Sequence, residues 1–118
     1  MILADTSIWI DHLRHGNSRL SQFLLDGEVL SHPFVIGELA CGLLTKRARI
    51  LSLLEALPKV TIAEHSEVLR LVDKERLHGR GLGWIDMHLL ASAALTPSPI
   101  WTLDRALLRV ATAMGVAV

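Results

Sequence analysis

The hydrophobic pattern begins at the first residue. Met1-Ile2-Leu3-Ala4 is an unbroken apolar run that ends on an acid, Asp5. A short apolar run without polar alternation predicts a strand covered on both faces, the interior position of a parallel sheet. Asp5-Thr6-Ser7 then reads as a helix start, because short polar side chains accept from the free N–H groups of a first turn. The helix it opens runs from about Thr6 to His15 and stops at Gly16. A second short helix, capped by Asn17 or Ser18, carries Leu20, Phe23 and Leu24 at helical spacing, and Asp26-Gly27 turns the chain. Residues 28–31 predict a second strand. His32-Pro33 ends it, and Pro33 suits the first turn of the next helix, 34–44, which is apolar almost all round. A further helix over about 46–57 ends at Pro58, and 60–62 is a short third strand. Residues 64–78 are amphipathic, with Val68, Leu69, Leu71 and Val72 on one face and Arg70, Asp73, Lys74 and Glu75 on the other. Beyond the glycine-spaced loop 79–83, residues 85–95 form another nearly all-apolar helix. Residues 100–102 are a fourth strand, 104–114 the last helix, and 116–118 an edge strand.

Strands alternating with helices predict an α/β fold. It has three layers, α/β/α, around a central parallel sheet of four to five strands joined by right-handed crossovers. At 118 residues, with no linker, repeat or low-complexity stretch, the chain reads as a single domain, 1–118. In such sheets ligands bind at the C-terminal edge of the strands, which is where Asp5 falls.

Composition narrows the chemistry. Half of the residues are apolar and the formal net charge is zero, so no global field announces a nucleic-acid partner. The single cysteine, Cys41, excludes an internal disulfide and suits a reducing compartment; its place in an apolar helix reads as core. No basic segment precedes the opening apolar residues, and no apolar run approaches the roughly 20 residues of a membrane span. A cytoplasmic protein without a membrane partner is expected.

Four acids stand out. Asp5 ends MILAD and Asp104 ends IWTLD. Glu38 is the only charge between Pro33 and Thr45, and Asp86 the only Asp, Glu, Lys or Arg between Leu82 and Leu95. Each is a lone carboxylate in a run whose apolarity predicts burial, and a buried unpaired carboxylate is expensive. Taken singly, Asp86 and Asp104 read as helix caps, and Asp5 can be read that way too. Glu38, inside an apolar helix, serves no cap. Taken together, all four can converge on one sheet edge, and an all-oxygen donor set of that density suits Mg²⁺ or Mn²⁺. Convergence favours a shared hard-metal site over four separate caps. Setting these four aside leaves eight acids against twelve bases, so the remaining surface carries about +4, a surround that suits a phosphodiester backbone. Lys46, Arg47 and Arg49 cluster beyond the Glu38 helix, and Arg76 and Arg80 flank the loop before Asp86; each cluster alone reads as a solvated face.

Other signals are weaker. Asp11 and Arg14 are three apart on one helix and read as a solvated pair. His12 and His15 have zinc-compatible spacing without a third ligand, which makes them a surface pair. His88 reads as packing or as a donor behind the acids. Ser7 and Thr102 each stand two residues from one of the acids, as local caps or as hydroxyls supporting the site. The glycine loop fails both nucleotide-binding fingerprints.

At these residues the chain resembles a known family. DTSIWID, the lone glutamate of FVIGELACG, GLGWIDMHLLASA and WTLD, in this order and spacing across essentially the whole chain, are similar to the PIN domain, in particular to the VapC-type toxins of prokaryotic toxin–antitoxin pairs. The resemblance implies a Mg²⁺- or Mn²⁺-dependent endoribonuclease with the three-layer fold. It carries over Asp5, Glu38, Asp86 and Asp104 as the acidic site, with Ser7 and Thr102 as supporting hydroxyls. It also implies dimerisation, or a toxin–antitoxin hetero-oligomer, and inhibition by a cognate antitoxin. One departure is Ala106-Leu107, where many relatives carry a polar residue and an aromatic. In the implied chemistry Asp5, Asp86 and Asp104 hold one or two ions, Glu38 is a ligand or orients the attacking water, and RNA phosphodiester bonds are hydrolysed. Two alternatives share these residues: a PIN nuclease of RNA processing without an antitoxin, and a non-catalytic module whose acids hold a structural ion or a basic peptide.

Overall fold

A computed structural model describes residues 1–118. Three short strands form a parallel sheet: β1 (Ile2–Ala4), β2 (Val29–Leu30) and β3 (Ile100–Trp101), in the order β2-β1-β3. The register pairs Ile2 with Val29 and Leu3 with Leu30 on one side, and Leu3 with Ile100 and Ala4 with Trp101 on the other. The opening apolar run is therefore the central strand, and Ile2, Leu3 and Ala4 are all buried. Between β1 and β2 lie α1 (Thr6–His15) and α2 (Ser18–Leu25). Between β2 and β3 lie α3 (Pro33–Ala40), α4 (Arg47–Ala56), α5 (His65–Lys74) and α6 (Trp84–Leu95), and α7 (Arg105–Ala113) closes the chain. Helix α1 packs on α2 and α3, α3 on α4, and α5 on α6. One cluster of 25 buried apolar residues runs through sheet and helices.

The sheet has three strands, not four to five. The two missing strands survive only as single bridges, Ser31 with Lys59 and Ile100 with Ala117. In residues 60–62, Val60 donates its N–H to Ser31 and is buried, but the Thr61 N–H turns to the Thr96 hydroxyl at 2.8 Å and Ile62 is 53% exposed. With one neighbour only and no second apolar face, the segment has nothing to hold it flat. Two helices are also shorter than their apolar patterns. Helix α3 ends at Ala40, with Cys41 exposed and not in the core. Helix α5 ends at Lys74, where Arg76 takes a positive φ of 53° and Leu77 folds back to bury itself, its N–H on the Val72 carbonyl.

This topology positions the site. From central β1 the chain moves to β2 on one side, whereas β3 docks on the other, so the C-terminal ends of β1 and β3 flank the crevice where strand order reverses. Asp5 ends β1 and Asp104 follows β3.

Candidate active site

Asp5 is placed by its own backbone, whose N–H donates to the Trp101 carbonyl of β3 at 3.1 Å. Its side chain is only 5% exposed, and both oxygens are engaged. Oδ1 accepts from the Ser7 hydroxyl at 2.5 Å and from the Ile8 N–H at 3.2 Å, which caps α1; Oδ2 accepts from the Thr102 hydroxyl. The two hydroxyls are themselves placed by the chain after β3: Ser7 Oγ accepts from the Leu103 N–H at 2.9 Å and Thr102 Oγ1 from the Asp104 N–H at 3.0 Å. Burial raises the Asp5 pKa, and the hydrogen bonds from Ser7, Thr102 and Ile8 only partly oppose it.

Asp104 caps α7, its Oδ1 accepting from the Leu107 N–H at 2.9 Å. Leu107, one of the two residues that depart from the family pattern, is fully buried and so cannot meet a substrate. Asp86 occupies the first turn of α6 and accepts from the Gly83 N–H at 3.1 Å through Oδ2. Its pKa is raised first by loss of water; the Gly83 bond opposes that, and the negative charges of Asp104 and Asp5 add to it. Asp5, Asp86 and Asp104 thus lie in one electrostatic neighbourhood although they come from three elements. Glu38, on α3, is tied to the residue beside Asp5: its Oε1 accepts from the Thr6 hydroxyl at 2.8 Å.

The burial expected for all four acids holds for Asp5 alone. Asp86 is half-buried, and Glu38 and Asp104 are exposed. Apolar helices are not buried all round here: the exposed side of α3 carries Phe34 and Glu38, and Cys41 just past its end is exposed too. The cap reading is correct for Asp5 and Asp104 in geometry, yet it does not exhaust them. Asp86 and Asp104 each spend one oxygen on a backbone N–H, and Glu38 spends one on Thr6.

No three His, Cys, Asp or Glu side chains are gathered closely enough to form a ready metal cage. The donor chemistry nevertheless fits a hard cation. Every candidate ligand atom is a carboxylate oxygen, none of the four acids is paired with a Lys or Arg, and the single ion pair of the chain is Lys59–Glu55, at 3.8 Å. The Asp86 pKa is raised first by burial and then by the charges of Asp104 and Asp5, with no positive group opposing them.

Sequence spacing missed Thr6, because a serine and an aspartate beside it offered better caps. It also misplaced Arg14. Asp11 Oδ2 accepts from Asn17 Nδ2 at 3.1 Å, and Arg14 instead faces the cleft that holds Glu38. His12 and His15 part company: His12 Nδ1 accepts from the Asn17 N–H and its ring meets Trp9 edge-on, whereas His15 lines the Glu38 cleft.

A parallel α/β sheet with acids at the ends of its two adjacent strands agrees with what the sequence matches. Residues 2–113 match the PIN domain, and the chain belongs to that family. Over 118 residues it is 48% identical to Ribonuclease VapC32 of Mycobacterium tuberculosis, in strain CDC 1551 / Oshkosh and equally in strain ATCC 25618 / H37Rv. The alignment covers 99% of this chain and 95% of each relative. No helix is long and apolar enough to cross a membrane.

Proposed function

We propose that this chain is a divalent-cation-dependent endoribonuclease, using Mg²⁺ or Mn²⁺, that acts in the cytoplasm as the toxin of a toxin–antitoxin pair. The observation that carries this reading is geometric: Asp5 and Asp104 end adjacent strands at the reversal point of the sheet, share the Thr102 hydroxyl and bear on Asp86, and none of the three is paired with a base. Near full-length similarity to a protein named as a ribonuclease supports the substrate class.

In this reading Asp5, Asp86 and Asp104 hold the cation, with Glu38 as a further ligand or as the acceptor that orients the attacking water. A bound cation supplies a more acidic water and positive charge beside the phosphoryl oxygens. The chain's own work is placement. Ser7, Ile8 and Thr102 fix the Asp5 carboxylate in one orientation. Thr102 also accepts from the backbone N–H of Asp104, so one hydroxyl anchors both acids. Thr6 restrains Glu38 beside them.

A protein partner is supported by an apolar trough of about 290 Å³ between α1, α2 and α4, lined by Trp9, Leu13, Leu24, Ile50, Leu53 and Leu57 among others. Solvent-facing apolar surface of this kind commonly marks an interaction site. The active form is a homodimer or, when inhibited, a hetero-oligomer with the antitoxin. The test has two arms. Sequencing RNA ends after brief induction should reveal new cleavage sites that Asp86→Asn does not produce, and growth should arrest unless the antitoxin is co-expressed. New cleavage without growth arrest or antitoxin relief would favour RNA processing, and metal binding without turnover would favour the non-catalytic module.

A further inference from the structure

Helix α1, the end of α3 and the start of α4 enclose a cleft of about 680 Å³. Glu38 stands in its wall, and Arg14, His15 and Lys46 line the same space. Arg14 and Lys46 have no carboxylate within 4.0 Å, and the same is true of Arg47 and Arg49 just beyond. The rest of the lining is small or aliphatic, Leu13 and Ile50 among it, with no second acid and no phenyl or indole ring. One end of the cleft is thus an acid of the candidate active site, and Arg14 and Lys46 in its lining form no ion pair within the chain.

We propose that this cleft is the track for the sugar–phosphate backbone of single-stranded RNA leading away from the scissile bond, with Arg14 and Lys46 each meeting a phosphate. The inference rests on the ribonuclease reading above. Unpaired cations keep their charge available, and phosphate contacts gain affinity by releasing counterions from the strand. Such contacts position a strand without reading its sequence. An aliphatic floor can take the face of a base, and besides Glu38 and the two cations only His15 and Thr45 offer polar groups to it. The cleft's main hold on RNA is therefore through the backbone.

The test uses full-length protein and a labelled RNA of about a dozen nucleotides. Binding is read by fluorescence anisotropy in the Asp86→Asn background, so that cleavage does not interfere. Arg14 and Lys46 are exposed, so Arg14→Gln with Lys46→Gln should leave the fold intact. This pair should weaken Kd about ten-fold at physiological salt and make the log–log salt dependence shallower by about 1.4, or about 0.7 for each phosphate contact. Arg14→Lys with Lys46→Arg should stay within about twofold of the parent. With Asp86 intact, the glutamine pair should raise KM for the RNA and leave kcat unchanged. An unchanged Kd and salt slope in the glutamine pair overturns the track, even if the wild type cleaves RNA. Equal losses in the charge-retaining pair overturn it as well, since shape and not charge would then be at work. If the glutamine pair loses affinity but the wild type cleaves no RNA, the track stands and the nuclease reading falls.

Discussion

The Thr102 hydroxyl donates to the Asp5 carboxylate across 97 positions of sequence, and the same oxygen accepts from the Asp104 N–H. One side chain therefore sets both the buried acid at the end of β1 and the exposed acid after β3. Thr102→Val keeps the shape but leaves Asp5 Oδ2 and the Asp104 N–H without their partner. An unmet buried polar group costs about 1–3 kcal/mol, so the melting temperature should fall by several degrees. Metal affinity should fall about 10–100-fold, as when an outer hydrogen bond to a ligand is removed. Thr102→Ser should behave like wild type. Melting curves and metal titration of the two variants check this, and equal behaviour of Val and Ser would remove Thr102 from the site.

Asp86→Asn should stabilise the metal-free protein. The folded pKa of Asp86 is raised by burial and by the neighbouring charges of Asp104 and Asp5. A raised carboxyl contributes stability that is complete below its ordinary value, 3.8, and is lost as pH climbs through the raised one. At neutral pH the ionised group therefore stands at a penalty, and Asn removes it while still accepting from Gly83. In EDTA the variant should melt higher than wild type. Excess Mg²⁺ or Mn²⁺ should raise the wild type more, by about 2.7 kcal/mol at 100 times Kd. A lower melting point for Asp86→Asn in EDTA, with equal metal shifts, would make Asp86 a structural cap only.

His32 should make the protein acid-sensitive. It caps α3, its Nδ1 accepting from the Phe34 N–H at 2.9 Å, while its buried Nε2 has no partner. Burial, and then the charge of nearby His88, lower its pKa from 6.5 to about 4. Stability from a depressed histidine is complete above 6.5 and is lost as pH falls through 4. His32→Asn preserves an acceptor for the cap and cannot titrate. Denaturant unfolding at several pH values should show wild type losing more stability than His32→Asn between neutral pH and 4; parallel curves would contradict this.

The parts of the fold legible in the sequence are those where a local signal is also the tertiary solution. Asp5, Asn17 and Asp104 read as caps and do cap, each accepting from a backbone N–H of the first turn. MILA reads as an interior strand and sits between two others. The edge strands β2 and β3 were legible, but residues 60–62 and 116–118 read as strands and form only single bridges; whether 60–62 joins a ladder depends on where Thr96 lies, and periodicity carries no trace of that. The acids stand out in the sequence as lone charges in apolar runs, Asp5 and Asp104 after strands and Glu38 and Asp86 on helices. Their burial was misjudged, because apolarity around a helix predicts a covered helix and α3 leaves one side open. Arg14 was misassigned because the i, i+3 rule names a possible partner, while Asn17 competes for the same acid.

The most direct measurement is the rate of single-stranded RNA cleavage by wild type, Asp5→Asn and Asp86→Asn, each across a Mn²⁺ titration and in excess EDTA. Three carboxylates acting on one cation predict cleavage by wild type that saturates with metal and disappears in EDTA. Losses of at least about 100-fold are predicted in both variants. Cleavage by Asp86→Asn at the wild-type rate in excess EDTA would contradict the shared metal site.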